Sequence, residues 1–177
     1  MRLLFVAAAI FTFAMQIAAA EEISSVAQYE AAISSGKLVR MHPNLNMKFG
    51  RDVAGTLATF RLPDENDYSS VLIYGAGHML IKKYEPDQAA RYRVDAAFDI
   101  NVGGAACIVF IESEGVGING PGAASDSAGH RGLVFCPSGN GSRMNDALTA
   151  RLAKQSGAHG IQSASQVRKI LRDYIAH

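Results

Sequence analysis

Two histidines, His78 and His130, each follow a glycine inside a glycine-rich turn. If the two turns lie at the same end of a sheet, the imidazoles converge to bind a metal ion or to act as an acid–base pair. The spacing does not favour a zinc site on a helix, because no two histidines are spaced i, i+4 and no H-E-x-x-H motif occurs. We therefore keep His78 and His130 as candidates for catalysis or metal binding and predict no cofactor.

Asp126 and Ser127 lie shortly before His130, and these three residue types suit an orienting acid, a nucleophile and a base. Residues so close in sequence rarely form a catalytic triad, and the G-x-S-x-G motif of a nucleophile elbow is absent. Serine and aspartate are also common in ordinary loops. The loop interpretation is favoured, and no catalytic residue is assigned.

Two carboxylates, Glu112 and Glu114, alternate at the end of an apolar run and so share one face of a strand. Together with Asp95 or Asp99 they could form the acid pair of a glycosidase. Carboxylates that end an apolar strand are more often solvated residues that oppose aggregation. That second interpretation is favoured.

The segment from Glu114 to Gly132 shows no helix or strand pattern, and long segments of this kind tend to be functional or mobile loops. It contains a G-x-G-x-x-G spacing at Gly115 to Gly120, but Pro121 and Gly122 follow where a dinucleotide site requires a helix. Nucleotide binding is therefore not predicted. The residues expected to contact a partner are Asn119, Asp126, His130 and Arg131.

The clearest strand signals surround this loop, between Tyr92 and Cys136. Apolar and charged residues alternate from Tyr92 to Ile100, which predicts a half-buried strand. Gly103 and Gly104 supply the positive φ angles of a tight turn. The run from Ala105 to Ile111 is continuously apolar, which predicts a central strand covered on both faces. The residues expected on the apolar face of the first strand are Tyr92, Val94, Ala96, Phe98 and Ile100.

Earlier segments add further strands. The chain from Lys37 to Met41 is predicted to be extended and to be broken by Pro43. A second extended region covers Leu45 to Leu62, and Val71 to Tyr74 forms a hairpin with Met79 to Tyr84. Because no helical pattern separates the strands, the sequence predicts a meander of about five or six antiparallel strands.

Helix patterns occur at both ends of the mature chain. Ser24 or Ser25 is predicted to cap a short helix that runs to Ile33. A second helix is predicted to end at Gly157, and Ser163 with Gln166 has the spacing of a capping box for a third. The apolar face of this last helix, which is expected to cover the sheet, comprises Val167, Ile170, Leu171, Tyr174 and Ile175.

The chain begins with the pattern of a secretory signal peptide. Arg2 precedes an apolar run from Leu3 to Ala14, and Ala18 to Ala20 form a small-residue cleavage site. A membrane anchor is the alternative, but spanning requires about 20 apolar residues and Gln16 interrupts this run. The sequence therefore predicts a Sec-type signal over residues 1–20, cleaved near Ala20, and a single periplasmic or secreted domain over residues 21–177.

Export gives meaning to the two cysteines, Cys107 and Cys136. An isolated pair in an oxidising compartment is typical of a disulfide bond rather than of a metal site or a nucleophile. We therefore predict that Cys107 bonds to Cys136. The resulting fold is a single α+β domain: an antiparallel sheet, a short N-terminal helix and two C-terminal helices that pack on the sheet.

The stretch from Val26 to Arg40 resembles the opening of VirK-like periplasmic proteins, which begin with a short helix, a Gly-Lys and an extended strand. The resemblance covers that stretch alone and implies no mechanism, so no family is assigned.

The charge is nearly balanced, at +1 overall, so neither nucleic acid nor stable membrane insertion is predicted after signal cleavage. The favoured function is an exported, non-enzymatic binding, inhibitor or virulence-associated envelope protein. It would engage an unknown protein or envelope component through the 114–132 loop and a sheet edge. The alternatives are a small hydrolase or metal-binding protein that uses His78 and His130, and a carrier of a lipid or small apolar ligand held between sheet and helices.

Overall fold

The computed structural model describes residues 23–75, 77–114, 130–156, 160–161 and 163–175. Within these ranges the chain forms eight strands and four helices. The predicted signal peptide lies outside the described residues, as do Asn119, Asp126 and Ser127.

The strands form two antiparallel sheets of four strands each, and each sheet follows the order of the sequence. The first sheet comprises β1 (Val39–Phe49), β2 (Val53–Arg61), β3 (Tyr68–Tyr74) and β4 (Gly77–Tyr84). The second comprises β5 (Tyr92–Val102), β6 (Ala105–Glu114), β7 (His130–Ser138) and β8 (Gly141–Met144). The helices are α1 (Val26–Ser34), α2 (Pro86–Arg91), α3 (Asp146–Gln155) and α4 (Ala164–Ile170).

The α+β class is confirmed, but the prediction of one sheet with about five or six strands is wrong. The segment after Tyr84, which looks like a simple linker in the sequence, is helix α2, with Pro86 in its first turn. This helix separates the strands into two meanders. Strand β1 also continues through Pro43, because it is an edge strand and its register with β2 shifts on both sides of His42.

Three apolar clusters show that the layers are stacked as α1, first sheet, second sheet, and then α3 with α4. Leu72 and Phe110 belong to the cluster between the two sheets. Tyr29 of α1 packs on the outer face of the first sheet. Leu152 and Val167 pack on the outer face of the second sheet. Burying each of these side chains contributes about 1.5–3 kcal/mol to folding.

Strand β6 is the central strand that the sequence predicts. It pairs with β5 on one side and β7 on the other. Phe110 faces the first sheet, whereas Val109 and Ile111 face the helices. The C-terminal helices therefore provide the predicted second cover, and Gly103 and Gly104 make the predicted turn with φ of 57° and 81°.

Strand β5 changes faces partway along its length. Its register with β6 shifts between Val94 and Ala96, so Asp95 forms a bulge. As a result Val94 lies between the two sheets, whereas Ala96 and Ile100 lie on the helix side. The prediction that these residues share one face is wrong, because a bulge breaks the alternation of a strand.

The three longer helices begin with a side-chain cap. The Ser25 and Ser163 hydroxyls each accept a hydrogen bond from the backbone N–H three residues later, at 3.2 Å. Asn145 does the same for α3 at 3.1 Å. A cap of this kind typically contributes about 1 kcal/mol. The caps at Ser25 and Ser163 agree with the sequence prediction.

The disulfide between Cys107 and Cys136 is confirmed. The two cysteines lie on adjacent strands, one step beyond the pair formed by Ile108 and Phe135. Their Cα atoms are 4.4 Å apart. This is the spacing of two opposed residues at a non-hydrogen-bonded position of an antiparallel ladder. The covalent bond therefore fixes the register of β6 and β7.

Among the described residues, no helix is both long and apolar enough to span a membrane.

Replacing both cysteines tests the contribution of this bond. The disulfide closes a loop with a sequence separation of 29, so the double variant C107S/C136S should lose about 3–4 kcal/mol of unfolding free energy in the chain-entropy model. Urea denaturation of the oxidised proteins measures this loss. Adding a reductant should lower the midpoint of the wild type and leave the double variant unchanged. Equal midpoints for the oxidised wild type and the variant would contradict the prediction.

Candidate functional site

Glu112 carries a carboxylate that is completely buried between the two sheets. One oxygen, Oε1, accepts hydrogen bonds from Lys82 Nζ at 2.7 Å and from the Tyr84 hydroxyl at 2.5 Å. The other, Oε2, accepts from Arg131 Nε at 2.8 Å and lies 2.7 Å from Arg131 Nη2. We call these four residues the Glu112 cluster.

The topology explains how these four side chains meet. Glu112 of β6 pairs directly with Arg131 of β7, and directly opposed residues project from the same face of a sheet. Lys82 and Tyr84 alternate on β4 and so reach the same space from the first sheet. The cluster lies where β4 and β6 end and where β5 and β7 begin. We call this end of the sandwich the loop end, because residues 115–129 connect β6 to β7 there.

Tyrosines enclose the cluster. The ring of Tyr68 stacks on that of Tyr84 with centres 3.9 Å apart, and its hydroxyl donates to the Tyr92 carbonyl at 3.1 Å. The guanidinium carbon of Arg131 lies 3.3 Å from the centre of the Tyr92 ring. Lys82 Nζ lies 3.9 Å from the centre of the Tyr84 ring. Both cations therefore contact an aromatic face as well as the carboxylate, which is favourable for a desolvated charge.

Burial changes the proton affinities in the cluster. Desolvation lowers the pKa of Lys82 to about 8, although the carboxylate of Glu112 acts in the opposite direction. Desolvation and the same carboxylate raise the pKa of Tyr84 well above its ordinary value, and the pKa of Tyr68 is raised for the same two reasons. Both phenols therefore stay protonated at neutral pH, and Tyr84 can donate its hydrogen bond to Glu112.

The cluster holds Arg131 in a defined position. Two nitrogens of its guanidinium contact Glu112, and one face covers Tyr92. Even so, 36% of the side chain is exposed to solvent. A buried ion pair often contributes little net stability, because desolvation offsets the attraction. Its clearest effect here is to fix a partly exposed arginine at the start of β7, next to the loop for which the sequence predicts a binding role.

The interpretation of the two carboxylates as solvated strand-end residues is wrong for Glu112 and agrees with the structure for Glu114. Glu112 is not a solvated residue at a strand end, since it is buried and contacts three other side chains. Glu114 does lie at the surface, where it accepts from Arg91 Nε at 2.6 Å. A signal for the cluster was present in the sequence: Glu112 lies as far after Cys107 as Arg131 lies before Cys136. A bond between the cysteines therefore aligns the two charges.

The two candidate histidines lie in different sheets. His78 pairs with Ile73 beside the turn of the β3–β4 hairpin. It precedes Lys82 by four residues, so the two lie about 13 Å apart along the strand. His130 lies at the loop end, where its Nε2 is 3.5 Å from Asp95 Oδ2. Within the described ranges, no group of three or more His, Cys, Asp or Glu side chains could hold a metal ion. A site shared by His78 and His130 stays a prediction.

Neutralising Glu112 tests how much the cluster depends on its carboxylate. The variant Glu112→Gln keeps the shape of the side chain but leaves Lys82 and Arg131 without an anion, so we expect a loss of about 3–5 kcal/mol in unfolding free energy. The matched control is Glu114→Gln, which removes an exposed carboxylate on the same strand and should change stability by no more than about 0.5 kcal/mol. Urea denaturation at neutral pH compares them. Similar midpoints for the two variants would show that the cluster contributes nothing specific.

The lowered pKa of Lys82 predicts a pH dependence of stability. In the unfolded chain Lys82 keeps its proton up to its ordinary pKa of 10.5, whereas in the folded protein it loses the proton near pH 8. Between these values the unfolded chain binds more protons, so raising the pH favours the folded state. From pH 8 to 10 the wild type should gain about 1–2 kcal/mol relative to Lys82→Met, and other titrating groups cancel in this difference. A difference that stays constant or falls with pH would refute the assignment.

Comparison of the chain with models of protein families, with curated proteins and with solved structures gives no match in any of the three. The resemblance of the stretch from Val26 to Arg40 to VirK-like proteins is therefore not supported by a family match.

Proposed function

We propose that the protein is an exported binding protein that engages a protein or another envelope component at the loop end of the sandwich. The observation that carries the proposal is the fixed, partly exposed guanidinium of Arg131. It is held by a buried carboxylate on one side and a tyrosine ring on the other. No catalytic step is required for this role.

Arginine and tyrosine are the residue types that most often dominate the binding energy of protein interfaces. At the loop end Tyr92 lies between two arginines, Arg131 at 3.3 Å and Arg91 at 5.3 Å from ring centre to guanidinium carbon. Arg93 is exposed beside them and contacts Asp95. We call Arg91, Tyr92, Arg93 and Arg131 the arginine surface. Because Arg131 is held in place before binding, a partner loses less side-chain entropy when it contacts this residue.

The described strands favour the loop end over a sheet edge as the binding surface. Three of the four edge strands carry register shifts: β1 around His42, β4 at Ile81 and β5 at Asp95. The fourth, β8, has only four residues. Bulges and short edges oppose the addition of a further strand. Of the two surfaces that the sequence predicts, the 114–132 loop is therefore favoured over a sheet edge.

The remaining parts of the proposal concern compartment and ligand. The disulfide supports an oxidising compartment, and with the predicted signal peptide over residues 1–20 we assign the protein to the periplasm or the extracellular space. A lipid held between the second sheet and its helices has less support. Val109, Leu152 and Val167 are fully buried there and belong to one apolar cluster, so side chains of the protein itself already cover this face of the sheet.

Site-specific photo-crosslinking in exporting cells tests the arginine surface. A benzophenone amino acid placed at Arg93 should form an adduct with the partner, whereas the same group at Arg172, an exposed position after α4, should not. The variant Arg131→Lys keeps the charge but loses the planar fork and the stacking on Tyr92. It should reduce the yield of the adduct at position 93 by about 10-fold or more, as expected for a binding hot spot.

The matched control for that variant is Arg168→Lys, which changes an arginine that lies over Phe98 on the helix side. It should leave the adduct at position 93 unchanged. Thermal melting of each purified variant shows that the fold is retained. Equal adducts at positions 93 and 172, or an adduct that does not depend on Arg131, would overturn the proposal.

A further inference from the structure

Three buried polar atoms without a hydrogen-bond partner lie close together on the helix side of the second sheet. They are Ser113 Oγ, His130 Nδ1 and Asp95 Oδ2. Leaving a buried polar atom unpaired costs about 1–3 kcal/mol, so native structures contain few of them. Three such atoms in neighbouring residues indicate a site rather than chance.

The pairing of the strands brings these residues together. Ser113 of β6 and His130 of β7 are directly opposed, so their side chains leave the same face of the sheet with Cβ atoms about 5 Å apart. The bulge in β5 falls at Asp95 and directs its carboxylate towards the histidine. Asp95 Oδ2 lies 3.5 Å from His130 Nε2. The other oxygen, Oδ1, accepts from Arg93 Nε at 3.1 Å and Nη2 at 2.9 Å.

We propose that Ser113, His130 and Asp95 form a nucleophile, a base and a positioning carboxylate for acyl transfer from small esters. With its proton on Nε2, His130 faces Asp95 and keeps the lone pair of Nδ1 for the hydroxyl of Ser113, the residue opposite it on β6. The two atoms are not hydrogen-bonded to each other in this structure. The serine, the histidine and the carboxylate follow one another as in a serine triad, with the two ring nitrogens exchanged. The distance of 3.5 Å between His130 and Asp95 is longer than a hydrogen bond, as is common for catalytic contacts without substrate.

The burial of the three residues limits the substrate. Ser113 is only 2% exposed, whereas the side chains of His130 and Asp95 are 32% and 22% exposed. The reacting atoms Ser113 Oγ and His130 Nδ1 are buried, so a substrate has to enter past the exposed edges of the imidazole and the carboxylate. A compact carbonyl compound suits such an entrance, whereas a polymer chain does not. The substrate class is a small ester or thioester.

The reaction balances without a cofactor. Ser113 Oγ forms a bond to the acyl carbon while its proton moves to His130 Nδ1. The bond from the acyl carbon to the leaving alcohol or thiol then breaks, and the leaving group takes that proton. Water, which loses a proton to the same nitrogen, hydrolyses the acyl-serine and regenerates Ser113.

This site lies on the other face of the second sheet from the Glu112 cluster, and it touches the arginine surface at Arg93, which donates to Asp95. Glu112 and Arg131 face the space between the sheets, whereas Ser113 and His130, the next residues along the same strands, face the helices. Variants at the acyl-transfer site therefore leave the buried carboxylate and its partners in place. The failure of one proposal would not imply the failure of the other.

A small organophosphorus probe tests the site in the full mature chain. Diisopropyl fluorophosphate should form a bond between phosphorus and Ser113 Oγ with loss of fluoride, and mass spectrometry of the peptides locates the adduct. Ser113→Ala should abolish labelling, and His130→Gln should slow it by about 100-fold or more, as expected when a general base is removed. Asp95→Asn should slow it as well, and Asp95→Glu should restore part of the rate.

The matched control is Ser70→Ala, which removes a buried serine whose hydroxyl is paired with Thr59 at 3.0 Å; it should not change labelling. Thermal melting of each variant confirms that the fold is retained. Labelling that is absent from Ser113, or that has the same rate in His130→Gln, would overturn the proposal. The three atoms would then be bridged by water.

Discussion

The pairing of β6 with β7 is the constraint on which the polar features of this protein depend. It places Glu112 opposite Arg131 on one face and Ser113 opposite His130 on the other. A slip of one residue would exchange the two faces, because strand side chains alternate. The charged cluster would then lie against the helices. The disulfide between Cys107 and Cys136 prevents such a slip, since it joins the same two strands.

The burial of Glu112 explains the composition of its surroundings. A carboxylate without partners inside a protein is very costly, and here both oxygens accept from charged or phenolic donors. The donors come from β4 and β7, so the contact links the two sheets at the loop end. A cation is also costly to remove from water, and here the rings of Tyr84 and Tyr92 lie against Lys82 and Arg131 and offset part of that cost. The sheets are thus held together by apolar packing in the middle and by charge at this end.

Local sequence patterns predict the local features well. The Gly103–Gly104 turn, the caps at Ser25 and Ser163 and the apolar central strand each depend on neighbouring residues, and all appear in the structure. The split into two sheets was missed because α2 has only six residues and no clear periodicity. The sequence does not predict the bulge at Asp95, because apolar and charged residues go on alternating along β5. The extra residue in the bulge nevertheless moves the apolar side chains from one face of the sheet to the other. The Glu112 cluster depends on contacts across the sandwich, which periodicity does not report.

The disulfide also has a consequence for cleavage of the chain. Residues 115–129 lie within the covalent loop between Cys107 and Cys136, so a protease that cuts there yields two fragments that stay joined. Each fragment keeps one strand of the β6–β7 pair and one member of both opposed residue pairs. A nicked protein would therefore migrate as a single species without reductant and as two species with it, while its interior contacts persist.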